Sequence, residues 1–499
     1  MSSPVLDPIT RPGGDAPRTG PSTIALSHPS LLLDHYRVPH RVDPDPVLHD
    51  GHLRSARLVS GGPRLYWVAA DGLPARRRFA GVFAVDGWSV AGRLATEAPG
   101  SFGLRGGWSR VADVTDADGA MLARVWASST GDVFVPFDVS ELLACQWSES
   151  YQRLTGSGRL GSALRTSAIR TYYAVRPALP RPVQIRLRQR FAQRQGVPSY
   201  PSWPVEDGLH DLGDWYLRLL ADTLSVPVRY LAPWPDGATW ALVLTHDVET
   251  EAGCRDRELL RRAERDHGLR SSWNFVPERY DVSPDVVAEV EADGCEVGVH
   301  GLRHDGRDVA SRRQVRRRGP AMRAAAARWG AEGFRSPATQ RRWDLMPQLG
   351  FRYDSSYTDS DPYEPQPGGS CTYWPFFIDD LVELPITLPM DHTLFEILGH
   401  EDGALWLDKV RHLRQRGGLV LALAHPDYAH GPALRAWEEL VEAVAATPGG
   451  WHALPREAAA WWRDRRATEL VWDGREWVPS GPAAAQCRIE VVSPRLVVA

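Results

Sequence analysis

The sequence is almost without lysine. Lys409 is the only lysine among 499 residues, so 57 of the 58 basic side chains are arginines. Against 62 Asp and Glu they leave a net charge of −4. A chain so close to neutral lacks the bulk positive field that drives nucleic-acid binding. We therefore expect no nucleic-acid partner and interpret the abundance of arginine as a compositional bias.

Cysteines are few and scattered. The five are odd in number and never form a CxxC pair: Cys145, Cys254, Cys295, Cys371 and Cys487. This spacing argues against a disulfide framework and against a cysteine zinc site, and it favours a reducing cytoplasm.

Long apolar runs are also lacking. No stretch approaches the roughly 20 residues that a membrane helix needs, and we expect no transmembrane segment. The first thirty residues have no basic start, no apolar core and no small-residue cleavage pattern. We expect residues 1–30 to be a disordered lead-in and the protein to be cytoplasmic. The sequence leaves the oligomeric state open.

The composition and the apolar periodicity change several times along the chain. Short apolar stretches between Gly, Pro and Asp turn signals predict a β-rich N-terminal domain over 31–160. A proline-rich linker with helices follows over 161–235, including a basic helix from Val183 to Arg194. Strands alternate with helices over 236–465, which is typical of an α/β domain with parallel strands. Residues 466–499 predict a short C-terminal β appendage to that domain.

Polar residues stand where the predicted strands of the α/β domain end. In parallel α/β folds the loops converge at the carboxyl ends of the strands. Five strand-like stretches run into such residues, namely Asp247 and Glu249, His300 and His304, Arg335, Asp354, and His425. The stretch RWDLMPQL, between the third and fourth of these groups, has a helical pattern.

Two of these groups suggest a metal site. His300 and His304 with a carboxylate from another strand end offer two imidazoles and one carboxylate, a set that suits Zn²⁺ or a similar ion. Such an ion lowers the pKa of water and polarises a carbonyl. Asp247 is then a candidate to accept the proton and His425 to protonate the leaving group. The competing interpretation is a pair of hydrogen-bonded loop histidines.

These ordered motifs resemble the polysaccharide deacetylases, the NodB-homology or carbohydrate esterase family four, over about residues 240–462. The resemblance implies a distorted (β/α)7 barrel and a divalent metal, with Zn²⁺ first and Co²⁺, Mn²⁺ or Ni²⁺ as alternatives. Here Val248 separates the two acids and Gly301 stands where the family has Ser or Thr.

The resemblance also implies roles for individual residues. Asp247 would be the general base, with Glu249, His300 and His304 as the metal ligands, although the two acids could exchange roles. Arg335 would orient the base. His425 would be the general acid, tuned by a carboxylate such as Asp354.

The segment from Asp359 to Leu398 is rich in aromatics, proline and acids. Trp374, Asp391 and His392 are its candidate substrate-binding residues, because an aromatic face can stack on a sugar ring. The alternative is a structural loop that closes one rim of the domain.

The strand-end residues thus predict a metal-dependent hydrolase. The resemblance implies that it removes an N-acyl group, most simply acetyl, from an amino sugar or glycoconjugate. Two alternatives stay open. One is a C–N hydrolase of a small non-sugar amide. The other is a catalytically inactive barrel that binds carbohydrate.

Overall fold

The computed structural model describes residues 20, 22–43, 51–155, 181–195 and 199–495. The chain forms two compact units. The β-rich unit comprises Met1–Thr155, Asp207–Asp236 and Asp464–Ala499, and the α/β unit comprises Gly156–Glu206 and Gly237–Arg463.

The strands, in chain order, are β1 (Ile24–Leu26), β2 (His40–Val42), β3 (Leu53–Leu58), β4 (Leu65–Val68), β5 (Arg78–Val85), β6 (Trp88–Ala95), β7 (Trp108–Asp116), β8 (Met121–Ser128), β9 (Val133–Val135), β10 (Val228–Leu231), β11 (Trp240–Val248), β12 (Ser271–Phe275), β13 (Glu296–His300), β14 (Gly333–Arg335), β15 (Tyr353–Asp354), β16 (Phe376–Ile378), β17 (Leu381–Glu383), β18 (Leu419–Ala424), β19 (Gly450–His452), β20 (Glu469–Trp472), β21 (Trp477–Ser480) and β22 (Ile489–Val492).

The α-helices are α1 (Leu31–Tyr36), α2 (Val139–Trp147), α3 (Gln152–Thr155), α4 (Arg181–Gln195), α5 (Gly208–Leu224), α6 (Glu251–Asp256), α7 (Glu258–Asp266), α8 (Pro284–Ala292), α9 (Arg312–Trp329), α10 (Ala404–Gln415), α11 (Gly431–Ala445) and α12 (Pro455–Arg466). Among the described residues, no helix combines the length and the apolar character needed to span a membrane.

A nine-stranded sheet forms the β-rich unit, in the order β2-β1-β3-β4-β9-β8-β7-β5-β6. The β5–β6 hairpin turns at Asp86 and Gly87, both with positive φ, which is the signature of a two-residue type I′ turn. Helix α2 packs on β6. A Cβ at Gly92 would overlap the side chain of Leu142, so this close approach depends on glycine.

Three separate stretches of chain form the β-rich unit. Strand β22 pairs antiparallel with β10, and β20 pairs with β21. Buried Arg465 donates hydrogen bonds to backbone carbonyls on two of the stretches, those of His35, Tyr36, Leu231 and Ala232. Its guanidinium can serve several acceptors at once, which explains why residues far apart in sequence form one unit.

This organisation differs from the sequence-based segmentation at three points. The C-terminal strands lie in the β-rich unit, whereas the sequence pattern attached them to the α/β domain. Part of the expected linker is the 17-residue helix α5 of the β-rich unit. Strand β1 lies within residues 1–30, where the sequence pattern predicts a disordered lead-in. The strand forms because its three apolar residues are buried against β2 and β3. Residues 1–19 and 161–180 lie outside the described residues.

A curled, mostly parallel sheet forms the α/β unit, in the order β16-β17-β15-β14-β13-β12-β11-β18. Only β16 runs antiparallel to its neighbour. Every residue of β11 and β18 is buried, as expected for strands covered on both faces.

At the β18 edge, the backbone N–H groups of residues 387 and 388, which follow β17, donate hydrogen bonds to the carbonyl oxygen of Leu421.

The order of the elements in the α/β unit shows the expected alternation of strands and helices. The predicted helix in RWDLMPQL is wrong, because the structure has only the single 3-10 turn Met346–Leu349 there. Pro347 lacks a backbone donor, and Gly350 ends the turn with a left-handed φ of 79°.

Candidate functional site

One cleft of the α/β unit collects most of the predicted strand-end residues. Because β11, β12, β13 and β14 are parallel neighbours, their carboxyl ends meet at the same edge of the sheet. The cleft has an empty volume of about 550 Å³, partly open to solvent. It is lined by Arg188, Asp247, Glu249, His300, His304, Ser336, Ala338, Thr339, Glu364, Pro365, Met390, His392, His425 and Tyr428.

Glu249, His300 and His304 present one ligand atom each within 4.8 Å of one another. His300 Nδ1 lies 3.1 Å from the carbonyl oxygen of Arg335. Donation to this oxygen directs the lone pair of the other nitrogen, Nε2, to the cleft. Burial lowers the pKa of His300 to about 4, so no proton competes for that lone pair at neutral pH.

The remaining donors also fit a metal ion. The Nε2 atoms of His300 and His304 are buried without a hydrogen-bond partner. His304 Nε2 lies 3.0 Å from Glu249 Oε1, close but not aligned for a hydrogen bond. Burial raises the pKa of Glu249, but His304 acts in the opposite direction and holds it well below the usual value. Orphaned imidazole nitrogens beside an ionised carboxylate are what a divalent cation requires.

The loop between the two histidines depends on a glycine and an acidic residue. Gly301 has a φ of 64°, and a Cβ there would lie 2.6 Å from Asp308 Oδ2. That carboxylate accepts a hydrogen bond from the backbone N–H of Leu302 at 3.2 Å and one from Arg318 Nη1 at 2.8 Å. Asp308 thus supports this loop. In the polysaccharide deacetylases that the sequence resembles, a Ser or Thr hydroxyl stands at the position of Gly301.

Asp247 lies beside the three-residue set. Its Oδ1 accepts a hydrogen bond from Asn274 Nδ2 at 2.8 Å, and its Oδ2 is 3.7 Å from Arg335 Nη1 and 3.6 Å from His300 Nδ1. Burial alone raises the pKa of Asp247, but His300, Arg335 and His425 together lower it below the ordinary value. Asp247 is therefore ionised at neutral pH and able to accept a proton.

His425 is held by Asp391. Its Nδ1 and its backbone N–H lie 2.6 Å from the two carboxylate oxygens of Asp391, and both side chains are buried. Burial lowers the pKa of His425, but Asp391 outweighs this effect and raises the pKa to about 10. Because Nδ1 is engaged, Nε2 is the nitrogen able to give a proton in the cleft.

Asp354, expected beside His425, lies elsewhere. Its Oδ1 accepts from Ser356 Oγ at 2.7 Å, and burial raises its pKa. The nearby Glu383 accepts backbone hydrogen bonds from Ser356 and Tyr357. The expected partnership of Asp354 with His425 is corrected, and Asp391 takes that place.

Comparison with solved structures finds similar proteins at low sequence identity. A protein described as a polysaccharide deacetylase from Mycobacterium smegmatis is 20% identical, with a TM-score of 0.40, covering 49% of this chain and 98% of its own. Over about half of its length, the chain resembles polysaccharide deacetylases. A family 4 carbohydrate esterase from Streptomyces lividans is 16% identical, with a TM-score of 0.30 over 43% of this chain and 93% of its own.

An allantoinase also matches, with 16% identity and a TM-score of 0.39 over 46% of this chain and 92% of its own. No protein-family model matches the sequence, and no curated protein matches it.

Of the three candidate substrate-binding residues, only His392 lines the cleft. Asp391 instead holds His425. Trp374 is buried, and its Nε1 donates to the carbonyl oxygen of Gly417 at 2.8 Å, so this candidate is corrected to a core residue.

The sequence pattern missed three residues that hold the site. Asn274 contacts Asp247, as described above. Asp427 Oδ2 accepts from the backbone N–H of Glu249 at 2.8 Å, and the hydroxyl of Tyr428 lies 3.0 Å from Glu249 Oε2. A signal existed for each, since Asn274 is a polar residue in a buried strand and the other two lie two and three positions after His425.

Proposed function

We propose that the α/β unit is a metal-dependent hydrolase that removes an N-acyl group, acetyl first, from an amino sugar or glycoconjugate. One observation carries the proposal. A three-donor set for a divalent cation, an ionised carboxylate and a carboxylate-bound histidine share a single cleft. The sugar in the proposal comes from the resemblance of the sequence motifs to those of the polysaccharide deacetylases.

Glu249, His300 and His304 would hold the ion, and their donor types suit Zn²⁺, with Co²⁺, Mn²⁺ and Ni²⁺ as alternatives. When bound, a divalent cation polarises the amide carbonyl and acidifies the attacking water. We propose that the curled sheet is the distorted (β/α)7 barrel of the resembled family. The parallel series β17-β15-β14-β13-β12-β11-β18 supports this assignment, and so do the hydrogen bonds between Leu421 and residues 387–388. Strand β19 is an eighth parallel strand, paired with β11.

The protein's own groups would handle the protons. Asp247, ionised and oriented by Asn274 and Arg335, accepts a proton from the attacking water. His425, kept protonated by Asp391, donates a proton to the leaving amine as the C–N bond breaks. The products are a carboxylate and an amine. All five cysteines are free thiols, which is consistent with the cytoplasmic location that we propose.

Metal analysis and assays on variants test the proposal. Wild-type protein should hold one divalent ion per chain, and His300→Ala should lose it. The exposed His267 provides the matched control, so His267→Ala should retain the ion. Glu249→Gln should lose metal, whereas Asp247→Asn should keep metal and lose hydrolysis. The reverse pattern would exchange the roles of the two acids.

Substrates separate the remaining alternatives. N-acetylglucosamine oligomers should be deacetylated by the metal-loaded protein. Turnover of cyclic ureides or simple amides alone would favour a non-sugar C–N hydrolase. Absence of both bound metal and turnover would favour an inactive carbohydrate-binding barrel.

A further inference from the structure

Arg188 brings a guanidinium to the cleft. It lies on α4, which also contacts the turn His392–Ile397, where Gln189 Nε2 donates to the carbonyl oxygen of Glu396 at 2.9 Å. Arg188 Nη1 lies 3.4 Å from His392 Nδ1. Among the described residues that line the cleft, Arg188 is the only arginine or lysine.

Arg188 lies toward the acid end of the cleft. His392 directly follows Asp391, whose carboxylate holds His425. In the proposed reaction His425 protonates the leaving amine, so the portion of the substrate beyond the nitrogen lies on this side. In this orientation Arg188 would face the amine portion of the substrate.

The surroundings leave this cation available to a ligand. Glu364 is the nearby acid, and its carboxylate accepts a hydrogen bond from Thr393 Oγ1. Burial raises the pKa of Glu364, although Arg188 acts in the opposite direction. Because Glu364 also accepts the hydrogen bond from Thr393, its carboxylate is shared between Arg188 and that hydroxyl. Because the carboxylates of Asp247 and Glu249 also line the cleft, they repel a ligand with a single negative charge less than a dianion.

We propose that the amine portion of the substrate carries a carboxylate that pairs with Arg188. The inference rests on the proposed function for its orientation. Planar guanidinium matches a carboxylate with two parallel hydrogen bonds, which gives both affinity and selectivity. The substrate class is thus an N-acyl compound with an acidic substituent near the acylated nitrogen.

Binding of matched ligands to the metal-loaded protein tests the proposal without requiring turnover. N-acetylglucosamine is compared with N-acetylmuramic acid, which adds a lactyl carboxylate, and N-acetylglycinamide is compared with N-acetylglycine. Calorimetric titration should show at least one acidic member bound about tenfold or more tightly than its neutral partner, the usual effect of one charge-assisted pair. Arg188→Gln should abolish this preference. Arg190→Gln, an exposed arginine on the same helix, should retain it.

Each other outcome has a defined meaning. Equal affinities within both pairs, or a preference that survives in Arg188→Gln, would overturn the proposal. Tighter binding of N-acetylglucosamine 6-phosphate than of either acid would overturn the carboxylate and indicate that a phosphate group of the substrate pairs with Arg188. If Arg188→Gln fails to fold, Arg188→Lys replaces it in the comparison. Because lysine keeps the charge but not the planar fork, Arg188→Lys should retain only part of the wild-type preference for the acidic ligand. An Arg188-dependent preference without hydrolysis of any ligand would keep the pairing of Arg188 with a carboxylate, but it would overturn the proposed reaction and with it the assignment to the amine portion.

Discussion

The pair of His425 and Asp391 offers a sharp test of the site. Asp391 accepts two hydrogen bonds from His425 at 2.6 Å each, and its side chain is only 3% exposed. In Asp391→Asn one oxygen can still accept, but the amide NH₂ must face the other donor. The substitution therefore removes one hydrogen bond and the negative charge while keeping the shape.

Two routes bound the cost to stability. Removing one partner of a buried ion pair costs about 3–5 kcal/mol. The pKa of His425 rises from 6.5 to about 10, which corresponds to about 5 kcal/mol at 1.36 kcal/mol per unit. This figure is the net of several effects, because burial lowers that pKa while Glu249 and Asp247 add to the rise caused by Asp391. We expect a loss of about 3 kcal/mol in the free energy of unfolding.

The loss should depend on pH in a defined direction. A histidine with a raised pKa stabilises the folded state fully below its unfolded value of 6.5, and this contribution is lost as the pH rises through about 10. Urea unfolding of metal-free protein should therefore show the largest gap between wild type and Asp391→Asn near pH 6, with the gap closing toward pH 10. A gap that stays constant or widens over this range would refute the assignment.

Activity provides a second readout of the same pair. In Asp391→Asn the basic limb of the kcat profile should move to lower pH, and kcat should fall by about 10²–10⁴ if His425 is the general acid. Asp354→Asn is the informative comparison, because its carboxyl contacts Ser356 instead of His425. A shift of the basic limb in Asp354→Asn alone would restore the partnership expected from sequence.

Two further predictions concern other buried carboxylates. Asp308→Ala should weaken Zn²⁺ binding about 10- to 100-fold in chelator competition, because the substitution frees the loop that carries both histidines. The control Asp305→Ala should weaken Zn²⁺ binding less. Equal losses in the two variants would contradict a specific role for Asp308. The only lysine is buried, with Nζ 2.7 Å from Asp359 Oδ2, so Lys409→Met should cost about 3–5 kcal/mol. Burial raises the pKa of Asp359 to about 6 despite Lys409, so the deficit in urea unfolding should grow above pH 6, and a pH-independent deficit would contradict this pairing.

The strand-end residues were predictable because each lies at or just after the carboxyl end of a strand. Local alternation of strands and helices indicates parallel strands, and parallel strands place their carboxyl ends together. Asp247, Glu249, His300, His304 and His425 therefore come from sequence position alone, and the structure brings all five to one cleft. The helix expected in RWDLMPQL failed because Pro347 and Gly350 outweigh its apolar spacing.

The partners of these residues were not predictable in the same way. Asp391 lies 34 positions before His425 in a segment without regular periodicity, so no local pattern aligns their side chains. Asp354 has the right residue type and follows a strand, yet its side chain points to Ser356.

The sequence by itself determined the α/β pattern and the chemistry at its strand ends, because both follow from short-range periodicity. Only the tertiary structure decided which groups touch. It pairs Asp391 with His425, brings Arg188 to the cleft from a separate helix, and joins β22 to β10 in the β-rich unit. These contacts depend on how distant segments pack. Contacts between residues far apart in the sequence produce no local periodic pattern from which they could be predicted.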